Sequence, residues 1–106
     1  MSPEEFVKNF YLEKQNILRS SFDDQSENVT SIKIKELELN QIQVEKLKEI
    51  VSNLLTDTFY TILLGLDGSA NIGTTQESFK IYDEENNLIS EGGDLEGYAY
   101  DYFHGE

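Results

Sequence analysis

Residues 40 to 66 read NQIQVEKLKEIVSNLLTDTFYTILLGL, and the fold depends on how this stretch is divided. In its first part the apolar residues fall on one helical face and the charged residues fall on the other. Asn40 can cap this helix, which we expect over residues 41–55. After Leu55 the composition shifts to Thr, Phe, Tyr and Ile, and consecutive apolar positions indicate burial on both faces of a strand. The second part therefore predicts a central strand over residues 57–66.

The residues before this stretch predict a helix, a loop and a short strand. Ser2-Pro3-Glu4-Glu5 has the pattern of a capping box with Pro at the first helical position. The spacing of the apolar residues that follow extends the helix over residues 3–20. Residues 20 to 31 are polar and aperiodic, so we interpret them as a surface loop. Ile32 and Ile34 then alternate with lysines, which predicts a strand over residues 31–35.

The residues after the stretch predict a hairpin and one ambiguous element. Phe79 to Tyr82 and Leu88 to Ser90 flank a turn that ends in Asn86-Asn87, a pair that tolerates the backbone of a tight hairpin. This pattern predicts strands over residues 77–83 and 87–91. Residues 94–103 fit a helical stripe of apolar residues, with Asp94 as its N-cap. Three tyrosines at alternate positions also fit a strand. We interpret this segment as a helix and keep the strand as the alternative.

These elements together predict an α+β fold. Its antiparallel sheet would have three to four strands, with the three helices packed on one face. The chain has 106 residues, a length that suits one hydrophobic core. We therefore expect a single domain over residues 1–106.

The charge of this chain is unevenly distributed. The net charge is −13, and residues 54–106 contribute eleven acidic residues against one base, Lys80. A concentrated negative field repels nucleic acid and anionic membrane surfaces, and it attracts cationic proteins. The charge therefore excludes the first two classes of partner and favours a basic protein.

The composition also indicates where the protein resides. The longest apolar run, residues 59–66, is far shorter than the roughly 20 residues of a membrane-spanning helix. The first residues do not resemble a secretory signal. The chain contains no Cys, which is typical of a reducing compartment. We expect a cytoplasmic protein.

The segment from Gly93 to Glu106, GDLEGYAYDYFHGE, interleaves acidic and aromatic residues. Tyr is enriched among the residues that dominate binding energy at interfaces, and carboxylates around it complement a basic surface. In the alternative interpretation, Tyr98 and Tyr102 belong to the core and the acids only solvate the outer face. We expect a partner-binding site at Asp94, Glu96, Tyr98, Tyr100, Asp101 and Tyr102.

The sequence offers little for catalysis, cofactors or metals. His104 is the only histidine and is the third residue from the end of the sequence shown. Residues 67–78 place oxygen-bearing side chains at alternate positions, as a calcium loop does, but Ile72 and Ser78 replace its essential Gly and Glu. Phosphate-binding and dinucleotide-binding fingerprints are absent. We expect no enzyme activity, cofactor or metal.

In its size, acidity, lack of Cys and acid-plus-tyrosine segment, the chain resembles the small bacterial immunity proteins. The resemblance implies a non-enzymatic inhibitor that neutralises or sequesters a basic protein such as a toxin domain. One alternative is a regulatory module that forms a homodimer through a sheet edge or the C-terminal aromatics. The other is a metal-binding protein or small enzyme that uses carboxylates.

Overall fold

Helices account for nearly all the regular structure in the computed structural model, which describes residues 1–105. The helices are α1 (Pro3–Phe22), α2 (Val29–Glu36), α3 (Gln41–Leu66) and α4 (Asp94–Phe103). The chain is 61% helix and 4% strand, without a sheet among the described residues. The predicted α+β fold is therefore wrong.

The first helix begins as the sequence predicts. The Ser2 side chain accepts a hydrogen bond from the Glu5 amide at 3.1 Å, and Pro3 occupies the first turn. The Glu5 carboxylate closes the box by accepting from the Ser2 amide at 3.4 Å. The helix continues to Phe22, two residues beyond the predicted end.

The strand predicted over residues 31–35 is instead part of α2. Asn28 caps this helix by accepting a hydrogen bond from the Ser31 amide at 2.8 Å. Ser31 is buried and donates its hydroxyl hydrogen bond to the carbonyls of Asn28 and Ser26, at 3.0 and 3.1 Å. The cap satisfies amides that a helix start would otherwise leave unpaired. Only Ile32 and Ile34 favour a strand here, because lysine is depleted in strands.

The central strand predicted over residues 57–66 is also wrong, because α3 continues through it. Asn40 and Gln43 form the capping box that starts α3, and the helix then runs for 26 residues. The helical cost of β-branched and aromatic residues is at most about 0.7 kcal/mol each, and extending an existing helix adds a hydrogen bond per residue. Phe59, Leu63 and Leu66 are spaced so that they share one helical face.

The core lies where α1, α4 and the C-terminal half of α3 meet. Leu63 of α3 is fully buried among side chains of the other elements. This burial explains why the C-terminal half of α3 stays helical. Aromatic rings extend the contact, with Phe10 of α1 5.8 Å from Phe59 and Tyr11 5.7 Å from Phe103. The buried apolar residues are Val7, Leu63, Ile89, Leu95 and Ala99.

Lys14 lies almost buried between α1 and α3. Its ammonium group donates a hydrogen bond to the Thr56 hydroxyl at 2.7 Å. Burial lowers the pKa of Lys14, because a charged group loses solvation inside the fold. The long apolar stem of lysine allows such a side chain to be buried while its ammonium group reaches a polar partner.

Residues 67–93 connect α3 to α4 without regular structure. The predicted strands over residues 77–83 and 87–91 are wrong, and only isolated bridges form, one of them between Tyr82 and Leu88. Buried Ile89 attaches the segment to the core, and its amide donates to the Ile81 carbonyl at 2.7 Å. Too few paired residues flank the turn for a stable hairpin.

Asp83 organises the turn of this segment. Its carboxylate accepts hydrogen bonds from the amides of Glu85 and Asn87, both at 2.9 Å, and pairs with the α-ammonium group of Met1. These contacts, the ammonium group first, hold the pKa of Asp83 well below its usual range. The turn is therefore attached to the start of α1.

The chain is elongated. Its radius of gyration is 16.3 Å and its extents are 47 × 28 × 28 Å, whereas a compact domain of this size has a radius of gyration of about 13 Å. The α3 helix alone is about 39 Å long. None of the helices in residues 1–105 is both long and apolar enough to cross a membrane.

We expect Leu63→Ala to lower the free energy of unfolding by about 3 kcal/mol, because it leaves a cavity in the core. Ile62→Ala is the matched control, since Ile62 precedes it in α3 and is 36% exposed. Its cost should stay below about 1 kcal/mol. Urea denaturation followed by circular dichroism measures both. Equal costs would contradict this placement of Leu63.

Candidate partner-binding surface

The α4 helix begins at Asp94 without a capping side chain of its own. Its N-cap is Gly93, which has a left-handed backbone with φ 85°, so the prediction that Asp94 is the cap is wrong. Asp67, the residue after α3, provides a substitute. Its carboxylate accepts a hydrogen bond from the Glu96 amide in the first turn at 3.2 Å. The end of α3 thus holds the start of α4 in place.

A second contact fixes the side chain of Glu96. The Ser69 hydroxyl donates to the Glu96 carboxylate at 2.8 Å, across 27 positions of the sequence. With the Asp67 contact, this hydrogen bond ties the first turn of α4 to the residues that follow α3. The acidic first turn is also favourable for the helix dipole.

The carboxylates at this junction affect one another. Partial burial raises the pKa of Asp67, and the negative charges of Glu96 and Asp94 raise it further. Hydrogen bonds from the amides of Glu96 and Gly93 oppose the increase. The junction therefore concentrates negative charge in a site where solvent screens it less than on an open surface.

The inner face of α4 attaches the helix to the core. Leu95 and Ala99 are buried, and Tyr98 and Tyr102 are half-buried against the core residues. The ring of Tyr102 lies 6.0 Å from that of Tyr11 in α1. This face holds the helix and leaves the opposite face free.

The outer face of α4 presents one tyrosine among acids. Tyr100 is 56% exposed, and Asp101 beside it is exposed. Gly97 lies one turn before Tyr100, and a side-chain carbon there would meet no other atom within 4 Å. The ring of His104 is 6.2 Å from Tyr100 and 4.4 Å from Tyr60 of α3. The face is therefore open around the Tyr100 ring.

The helix separates the six predicted contact residues into two groups. Tyr98 and Tyr102 are one helical turn apart and lie on the core side, whereas Tyr100 lies between them in sequence and points away. Three acids are exposed with Tyr100. The outer group is Asp94, Glu96, Tyr100 and Asp101.

Two features of the surface do not follow from the sequence interpretation. Asp67 caps α4 from 29 positions away, and no local pattern indicates such a contact. The second is an exposed apolar surface on the N-terminal half of α3, where Ile50 and Leu54 are 54% and 63% exposed. Its signal is present in the sequence, because the apolar arc there is wider than one neighbouring helix covers.

Within residues 1–105, no group of three His, Asp or Glu side chains is arranged to hold a metal ion. The carboxylate oxygens of Asp83 accept hydrogen bonds from Glu85 and Asn87 within their own turn.

Comparison of the chain with protein-family models, with curated proteins and with solved structures finds no match.

The charge coupling at the junction predicts a change in the titration of Asp67. Glu96→Gln removes one of the charges that raise the Asp67 pKa, so this pKa should fall towards its ordinary value. Asp101→Asn, an exposed carboxylate not among the causes of the shift, should leave it unchanged. NMR titration of the Asp67 carboxyl carbon measures both. An Asp67 pKa that responds equally to the two changes would contradict the coupling.

The sign for stability follows from the raised pKa. The contribution of Asp67 is fully present below its unfolded pKa of about 3.9 and is lost as the pH rises through the folded value. Asp67→Asn keeps an oxygen that accepts from Glu96 and removes the charge. The difference in free energy of unfolding between this variant and the wild type should therefore shift in favour of the variant when the pH is raised from 3 to 7. Urea denaturation at both pH values measures this difference.

Proposed function

We propose that this chain is a non-enzymatic cytoplasmic protein that sequesters a basic protein partner, as the immunity proteins it resembles do. The observation that carries the proposal is the solvent-exposed side of α4, which carries Tyr100, 56% exposed, and three exposed carboxylates. We assign the contact to Asp94, Glu96, Tyr100 and Asp101. Tyr98 and Tyr102, also predicted as contacts, would position the helix.

The charge around α4 supports a cationic partner. Residues 67–105 contain nine acidic residues and a single base, Lys80, so this part of the chain carries a net charge of −8. Such a field accelerates the approach of a basic surface and repels an acidic one, and salt weakens both effects.

Tyr100 supplies the anchor that charge alone does not provide. A tyrosine ring buries a large apolar area at low cost in conformational entropy, and truncating such a residue at a contact typically costs about 2 kcal/mol or more. The ring has room to be covered, because Gly97 leaves the neighbouring surface without a side chain. A partner can therefore contact both the ring and the helix backbone beside it.

The face is also held in position before binding. Leu95 and Ala99 attach α4 to the core, and the Asp67 and Ser69 contacts fix its first turn. Binding to a rigid face avoids the entropic cost of ordering it. This supports a tight contact.

The test begins with capture of partners on the immobilised chain from a lysate of its source cells. The wild-type chain should retain a basic protein that Tyr100→Ala does not. With the captured protein purified, Tyr100→Ala should accelerate dissociation about 30-fold, the equivalent of about 2 kcal/mol. Surface plasmon resonance at two salt concentrations measures the rates.

Two triple variants separate the site from the overall charge. Asp94→Asn with Glu96→Gln and Asp101→Asn changes the charge by three at the proposed contact. Glu27→Gln with Glu36→Gln and Glu45→Gln makes the same change at exposed positions elsewhere. Both should slow association, but only the first should also accelerate dissociation. Capture of an acidic protein would rule out the proposal. A captured protein whose dissociation rate is changed neither by Tyr100→Ala nor by the triple variant at Asp94, Glu96 and Asp101 would also rule it out.

A further inference from the structure

An apolar surface lies at the end of the molecule away from α4. Four large side chains there are mostly exposed: Leu37 by 59%, Ile42 by 79%, Ile50 by 54% and Leu54 by 63%. Single exposed apolar residues are ordinary, but a contiguous group marks an interaction site. We call this group, with the adjacent Leu39 and Leu47, the α3 surface.

The arrangement of the α3 surface suits another helix. Ile42, Ile50 and Leu54 lie along a row of positions four residues apart, and Lys46 completes the row. Leu37 and Leu39, between α2 and α3, line the same groove as Ile42 and Ile50. Rows of this spacing form ridges that interdigitate with the same row of a second helix, at a crossing angle of about −50°.

The charge around the α3 surface permits contact with a second copy of this chain. Residues 29–55 contain four Lys and four Glu and are neutral, whereas the other 79 residues hold seventeen acidic residues and four bases, a net charge of −13. Two copies of this chain repel each other through most of their surfaces. The neutral segment is where a second copy can approach without that cost.

We propose that the α3 surface binds a second copy of this chain, with the two α3 helices crossing about a two-fold axis near Ile50. The same residues then contribute from both sides, as such symmetry requires. Lys46, which pairs with Glu49 at 3.3 Å within one chain, borders the contact. Ile50 is 13 positions from Leu63, about 20 Å along the helix, so both α4 faces stay open in the dimer.

The mass of the particle in solution tests the proposal. The wild type should behave as a particle of twice 12.2 kDa at tens of micromolar in light scattering coupled to size-exclusion chromatography. Ile50→Asp places a charge at the axis and should weaken the dimer at least ~30-fold. Leu12→Asp, the same kind of change at a leucine of α1 that is 47% exposed, should leave it intact. Circular dichroism checks that both variants are folded.

A cross-link tests the position of the axis independently of any change in stability. Because the chain contains no Cys, Ile50→Cys introduces a unique thiol. Under mild oxidation two copies should join through residue 50, since a disulfide needs Cα atoms within about 7 Å. Two copies of the Leu12→Cys variant should not become cross-linked. A monomeric wild type at every concentration, or equal cross-linking of the two variants, would overturn the proposal and leave the α3 surface to a different protein.

Discussion

The burial of Leu63 determines much of this structure. Its side chain lies in the core with Val7 of α1 and with Leu95 and Ala99 of α4, so the three helices meet at the C-terminal half of α3. Because α4 has only 10 residues and α3 has 26, the short helix covers only part of the long one. The rest of α3 extends beyond α4, and its side chains Ile42, Ile50 and Leu54 stay exposed.

The two ends of the molecule therefore differ in chemistry. The end with α4 combines acids with an exposed aromatic ring, whereas the projecting part of α3 is neutral and aliphatic. Aliphatic burial is favourable for almost any matching apolar surface, but a dense negative field discriminates by charge. A long helix with a core at one end thus gives a small chain two exposed surfaces of different chemistry.

The features that the sequence predicts correctly depend on neighbouring residues, and most of those that it misses depend on distant ones. The helix over residues 3–20, the cap at Asn40 and the choice of helix over strand for residues 94–103 all follow from local spacing. The strand predicted over residues 31–35 is wrong because Asn28 caps a helix there. The strand predicted over residues 57–66 is wrong because Leu63 is buried in a core that three helices form. At the candidate site, the acids and Tyr100 are predictable as a segment. The face that each tyrosine occupies can be assigned only when the segment is known to be a helix. The contact of Asp67 with Glu96 can be assigned only from the three-dimensional fold.

Gly65 connects α3 to the irregular segment at a very close approach. A methyl group at this position would lie 2.3 Å from a side-chain carbon of Ile72, so no larger residue fits unless the Ile72 side chain moves. Glycine inside a helix costs about 1 kcal/mol relative to alanine. Gly65 is nevertheless buried, like Leu63 before it, so the last turn of α3 stays within the packed end of the helix. The missing side chain lets the irregular segment return against α3 directly before Asp67, the residue that caps α4.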